Sequence, residues 1–182
     1  MTASELIVEL QARANPANVA GMARYGINSK GTLGVSVAEL RKLAKRAGKS
    51  HQLAMDLWAS GIHEARILAT IVDEPDRVTR RQMDSWARDF DSWDVCDQAC
   101  QNLFWQTPHA WHMAAKWSRA RGEFVRRAGF SLLASLATRK KDAPDVCWEE
   151  AMILIVEAAA DQRNYVKKAV EWARRVIGER KG

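Results

Sequence analysis

The chain has 182 residues, 47% of them hydrophobic, with 28 Lys and Arg against 22 Asp and Glu, a formal charge of +6 and a pI near 9.5. A chain of this size buries a core without disulfides or metals, and it is read as a single domain spanning 1–182; the basic balance is compatible with nucleic acid without requiring it. Cys96, Cys100 and Cys147 exclude a disulfide framework, and the Cys96 to Cys100 step fits neither a CxxC redox pair nor a zinc knuckle, which points to a reduced intracellular protein. Glu5 and Glu9 break the N-terminal apolar stretch and no run nears the ~18 apolar residues of a membrane span. A cytoplasmic protein with no membrane partner is expected.

Apolar-periodic segments of about ten to sixteen residues predict an all-helical chain, with helices near 3–13, 16–25, 36–47, 50–60, 62–73, 76–89, 92–104, 108–120, 123–138, 145–160 and 163–177. Thr2 with Glu5, and Ser36 with Glu39, form the S/T-x-x-E pattern of a capped helix start. Pro16, Pro75, Pro108 and Pro144 are expected in first turns, where the missing amide has no partner to lose. Gly26, Gly48, Gly61 and Gly178 read as stops. The stretch from Ile27 to Gly34 has no helical period and reads as a loop of the kind that often carries function.

Phe124-Val125-Arg126-Arg127-Ala128 returns as Tyr165-Val166-Lys167-Lys168-Ala169, a period typical of HEAT-like paired helices. Such pairs bury their apolar faces only by stacking, which predicts an α-solenoid with a concave binding groove. Residues 1–48 hold seven basic and three acidic side chains, 49–118 seven and ten, and 119–182 fourteen and nine. Basic ends thus flank an acidic middle, a pattern that suits phosphate-binding flanks around a carboxylate and that a solvated mixed surface also produces.

Six of the eight tryptophans (Trp58, Trp86, Trp105, Trp111, Trp117, Trp148) sit among apolar neighbours and are read as core. Trp93 stands four residues before Asp97, on the same face of a helix; taken alone, this spacing more often marks a half-buried Trp beside a solvated acid than a site. Lys168 and Trp172 repeat the one-turn relation, and the internal repeat sets Arg127 at the position of Lys168. A carboxylate, two aromatics and a guanidinium on one groove can hold a cationic ring and a phosphate. The histidines, His51, His63, His109 and His112, lack partners at ligand spacing, and no metal or other cofactor is expected. Arg139-Lys140-Lys141 is a basic loop left outside the site.

With these motifs, the chain resembles the DNA alkylation repair enzymes of the AlkD type, HEAT-like solenoid DNA glycosylases. The resemblance is carried by Met22-Ala23-Arg24-Tyr25 with Leu33-Gly34-Val35, Ser92-Trp93-Asp94-Val95-Cys96-Asp97, Val125-Arg126-Arg127-Ala128 and Lys167-Lys168-Ala169-Val170-Glu171-Trp172. It implies an active site of Asp97, Trp93, Trp172 and Arg127, with Arg126, Lys167 and Lys168 joining Arg127 on DNA. It further implies excision of cationic N3- or N7-alkylated purines from double-stranded DNA, in base excision repair, without extrusion of the base into a pocket. Because alkylation makes the purine a cationic leaving group, the chemical task is to stabilise an oxocarbenium-like sugar. That role falls to Asp97, with Trp93 and Trp172 bracketing the nucleotide and Arg127 on a backbone phosphate. Family members usually continue beyond the helix of Trp172, so a shortened far end of the groove is expected, and the polar last helix suggests a monomer. A DNA-binding relative without catalysis, or a protein-binding scaffold, are the alternatives.

Overall fold

The structure, a computed structural model, describes residues 1–180. Among them are eleven α-helices and no strand, as the periodicity predicts: α1 (Ala3–Ala12), α2 (Pro16–Arg24), α3 (Val37–Ala47), α4 (His51–Ala59), α5 (His63–Val72), α6 (Arg80–Arg88), α7 (Trp93–Asn102), α8 (Ala110–Ser118), α9 (Glu123–Arg139), α10 (Asp145–Glu157) and α11 (Asn164–Glu179). No described helix is long and apolar enough to cross a membrane.

Local chemistry sets most of the helix ends. Thr2 and Glu5 satisfy each other's backbone amides in a complete capping box, whereas Ser36 caps α3 alone because Glu39 turns to Lys42 at 2.7 Å. Gly26, Gly48 and Gly61 all have positive φ, the left-handed step that ends a helix and that glycine takes without steric cost. Gly178 does not stop α11, which runs on to Glu179; the last turn needs no left-handed residue. Pro16 occupies the first turn of α2 and Pro144 the cap of α10. Pro75, by contrast, opens a 3-10 turn, Pro75–Arg77, and Thr79 then caps a shorter α6 than the expected 76–89. Pro108 lies just ahead of α8, so the expected helix from 108 starts at Ala110.

The chain packs as two compact units, Met1–Val78 and one beginning at Thr79. In the first, Leu6 and Leu10 of α1, Leu40 and Leu43 of α3, Leu53 and Leu57 of α4 and Leu68 of α5 form the core. Its loop from 27 to 36 is fixed rather than free. The fully buried Glu64 accepts the amides of Leu33 at 2.9 Å and Gly34 at 2.7 Å, and Asn18 donates to the Gly34 carbonyl at 3.0 Å. A Cβ on Gly34 would stand 2.3 Å from the Asn15 carbonyl oxygen, so this close approach requires glycine.

In the second unit α9 is enclosed: every residue from Arg127 to Ala137 is buried, and α7, α8 and α11 pack around it. The α7 thiols fix the register, Cys96 donating to the Phe124 carbonyl and Cys100 to that of Ala128, both at 3.5 Å; the equal offset means that α7 and α9 run parallel. Phe124 and Tyr165, equivalent positions of the internal repeat, face each other with ring centroids 5.4 Å apart. The repeat read in the sequence is therefore a pair of neighbouring helix starts. Of the six tryptophans assigned to the core, Trp58, Trp86, Trp117 and Trp148 are buried. Trp105 and Trp111 are only half-buried, the first beneath Arg139 and the second edge-on to Trp148.

Candidate active site and nucleic-acid interface

The first turns of α7 and α9 carry the cluster. Trp93 is the first residue of α7, and Asp97 follows one turn later, only 8% exposed. Arg127 enters from α9: Nε donates to Asp97 Oδ1 at 3.0 Å and Nη2 to Oδ2 at 2.8 Å. Its Nη1 donates to the Tyr165 carbonyl at the start of α11, at 2.8 Å, and the guanidinium lies 5.8 Å from the centre of the Trp93 ring. Three helices thus converge on one guanidinium, and the fork matches a carboxylate in the bidentate geometry that fixes orientation as well as charge.

Burial pushes the Asp97 carboxyl above its ordinary range; Arg127 pulls against it by hydrogen bonds and charge. The buried Ser131 hydroxyl adds to that pull without meeting the geometry of a hydrogen bond. Burial also works against the charge of Arg127, and Asp97 outweighs it, so the guanidinium is held above its usual value. A carboxylate has about four lone-pair sites. Arg127 occupies two, and 11% of the Asp97 side chain remains exposed for a further contact.

Trp93, Asp97 and Arg127 are therefore one contact set, and Trp172 is apart from it. Half-buried on α11, Trp172 shares with Lys168, Arg174 and Arg175 an open recess of about 830 Å³, and among the described residues no ring contact or hydrogen bond joins it to the cluster. Arg126 is engaged elsewhere, donating to the Ser118 carbonyl at 2.9 Å and to Asp161 at 3.0 Å. Lys167 and Lys168 are exposed. What the sequence reading missed is how Arg127 is used: its fork faces Asp97 and the Tyr165 carbonyl rather than open solvent. The Asp161 junction was also missed. Asp161 takes Arg163 at 2.7 Å and Arg126 at 3.0 Å, and Arg163 reaches the Arg121 carbonyl at 2.5 Å, clamping the start of α11 beside that of α9. Its one local signal is Asp161-Gln162-Arg163 just ahead of a helix.

Repeated parallel helices meeting at their first turns, with a carboxylate, an aromatic and a guanidinium brought together there, define a HEAT-like helical-repeat protein. The sequence model of the DNA alkylation repair enzyme family matches residues 6–182, and the chain belongs to that family. An uncharacterized protein of Listeria innocua is 24% identical over 136 residues, which cover 72% of this chain. The match spans 61% of the length of that curated relative. The fold is that of a solved protein from a family related to the HEAT-like repeat DNA glycosylases, with affinity for branched DNA structures. The two superpose with a TM-score of 0.86 over 97% of this chain and 76% of the other, at 19% identity.

Proposed function

We propose that the chain is a DNA glycosylase that releases cationic N3- or N7-alkylated purines from double-stranded DNA. The observation that supports this reading best is Asp97: a carboxylate oriented by the Arg127 fork, beside Trp93, with one edge still accessible. A cationic purine leaves without an acid, so the protein's work is electrostatic. The carboxylate stands against the positive charge that develops on the sugar and orients the attacking water. Its buried setting keeps the screening low, and Arg127 prevents it from turning away. Trp93 offers a ring beside the nucleotide, while Trp172 with Lys168 and Lys167 provides aromatic and cationic contacts for the flanking strand. Family membership favours repair of alkylated DNA.

A second reading is favoured by one observation, the near-complete burial of the Asp97–Arg127 pair: the chain binds DNA, branched structures included as in the solved relative, without excising bases. Single-turnover release of purine from N7-methylguanine and N3-methyladenine DNA separates the two. Under the glycosylase reading the chain releases purine and Asp97→Asn loses roughly 100- to 1000-fold in rate, the scale of one lost electrostatic contact in a transition state. Circular dichroism confirms that the variant is folded. No release above the spontaneous rate, with DNA still bound, establishes the second reading instead.

A further inference from the structure

α10 departs from the pattern of a surface helix, which buries one apolar stripe and turns polar side chains outward. Its inner face is apolar as expected, with Trp148, Ala151, Leu154 and Ile155 buried. Its outer face is apolar as well: Val146 is 57% exposed, Met152 37%, Ile153 55% and Val156 71%. Among the described residues these are four of the eight large apolar side chains that stand exposed. The neighbouring α11 is by contrast polar outward, with Lys167, Glu171, Arg174 and Arg175 exposed. A groove runs between the two antiparallel helices, in two recesses that share Met152. The first, of about 520 Å³, lies along the N-terminal half of α10 beside the end of α11 and holds Asp145 and Glu149. The second, of about 320 Å³, lies along the C-terminal half and holds Lys167 and Arg174 with Glu171 and Asp161. Asp161 is already matched by Arg163 and Arg126, and Asp145 stands 3.7 Å from Arg180. Glu149, Lys167, Glu171 and Arg174 make no ion pair among the described residues, so one end of the groove is negative and the other carries a net positive charge.

We propose that this face binds a second copy of the chain, the two α10 helices packing antiparallel about a two-fold axis near Met152 and Ile153. A helix that is apolar all round calls for cover on both sides, and a two-fold interface requires a surface that is complementary to itself. The antiparallel arrangement meets that requirement, because it sets the Glu149 end of one groove against the Lys167 and Arg174 end of the other, twice over. A parallel arrangement would set Glu149 against Glu149, so charge selects the orientation. The four apolar side chains then form the centre and the unpaired charges the rim, the usual anatomy of an interface. α10 has thirteen residues and a length of about 20 Å, so the contact is small and the dimer is expected to dissociate in the micromolar range. The polar α11 read by itself predicts a monomer; the outer face of α10 points the other way. The inference goes beyond the reading of the chain as a glycosylase and does not depend on it.

The test is sedimentation velocity of the full chain from about 5 to 500 μM, without DNA, so that its outcome is separate from that of the purine-release assay. The wild type is expected to pass from monomer to dimer across this range. Ile153→Asp changes an exposed side chain, with folding checked by circular dichroism, and is expected to weaken the dimer at least about tenfold by burying a charge at its centre. Glu149→Arg and Arg174→Glu, each alone, set like charges against each other in both halves of the interface and are expected to weaken it about tenfold. An equimolar mixture of those two single variants restores opposite charges at both contacts and is expected to recover the wild-type association, as a heterodimer. A wild type that stays monomeric throughout overturns the proposal and leaves the face to a helix of another protein. A dimer that Ile153→Asp does not weaken overturns the location. Single charge variants that the mixture does not rescue overturn the antiparallel arrangement.

Discussion

The Asp97–Arg127 pair should behave energetically as one unit, and a double-mutant cycle measures this. Arg127→Met removes a guanidinium that is 8% exposed and makes three hydrogen bonds, two to Asp97 and one to the Tyr165 carbonyl. Asp97, itself 11% exposed, is left with a buried charge and no counterion. Removing one partner of a buried pair costs about 3–5 kcal/mol, and the exposed edge of Asp97 sets the expectation at about 3–4 kcal/mol. Asp97→Leu leaves the guanidinium in the same difficulty, eased by the Tyr165 carbonyl, and should cost about 2–3 kcal/mol. The double variant Arg127→Met/Asp97→Leu removes both charges and fills the space with apolar atoms. It should lie within about 1–2 kcal/mol of the wild type, because the pair's attraction is largely offset by the cost of desolvating it. The coupling energy from urea unfolding of the four proteins is then about 3–6 kcal/mol. Additive effects, or single variants that each cost less than about 1 kcal/mol, would refute the reasoning and mark the pair as solvated.

Three further outcomes follow from contacts elsewhere. Gly129→Ala should destabilise by about 2 kcal/mol in urea unfolding despite alanine's ~1 kcal/mol advantage inside a helix, because its Cβ would lie 2.4 Å from the Ser118 amide nitrogen; a gain in stability would show that α8 yields freely. Asp161 is held down to about 2 by Arg163 first and by Arg126 more weakly. Its contribution is therefore present above the ordinary carboxylate value of about 4 and lost as pH falls from there toward 2. That contribution is about 1 kcal/mol once screening by the partly exposed arginines is allowed for, and Asp161→Asn should flatten the acid limb of stability against pH by this amount; an unaltered limb would count against the clamp. Glu64→Ala strips the half-buried Leu33 and buried Gly34 amides of their shared acceptor and should cost about 3 kcal/mol, with faster amide exchange at Leu33 and Gly34, whereas unchanged exchange there would mean the loop is held by other contacts.

What was legible in the sequence follows the range of the interactions. The Thr2–Glu5 box and the left-handed glycines at 26, 48 and 61 are local and were read correctly. Gly178 was misread because a glycine near a helix end signals a stop only when the chain must turn there. Pro75 was placed in the first turn of α6 but opens a separate 3-10 turn, since proline fits either, and Pro108 lies just ahead of α8 rather than inside it. The recurrence of Phe124 and Tyr165 disclosed which helix starts lie side by side. At the cluster, the shared face of Trp93 and Asp97 followed from helical spacing, yet the partner of Asp97 lies thirty residues on. An arginine in a sequence looks the same whether it faces a phosphate or a carboxylate, and only the parallel register of α7 and α9 brings Arg127 to Asp97. Arg126, next to it, turns instead to Asp161, just ahead of α11.

The thiols that set this register also have a chemical consequence. Agents that alkylate purines attack thiolates as well, and a cysteine beside the site would become a competing target if it ionised. Burial pushes the Cys96 thiol well above its ordinary value, and its proton is committed to the Phe124 carbonyl. Cys96 therefore stays in the unreactive form next to Asp97. Two sulfur atoms that an electrophile would otherwise seek are instead joints between helices, both fully buried and so out of its reach.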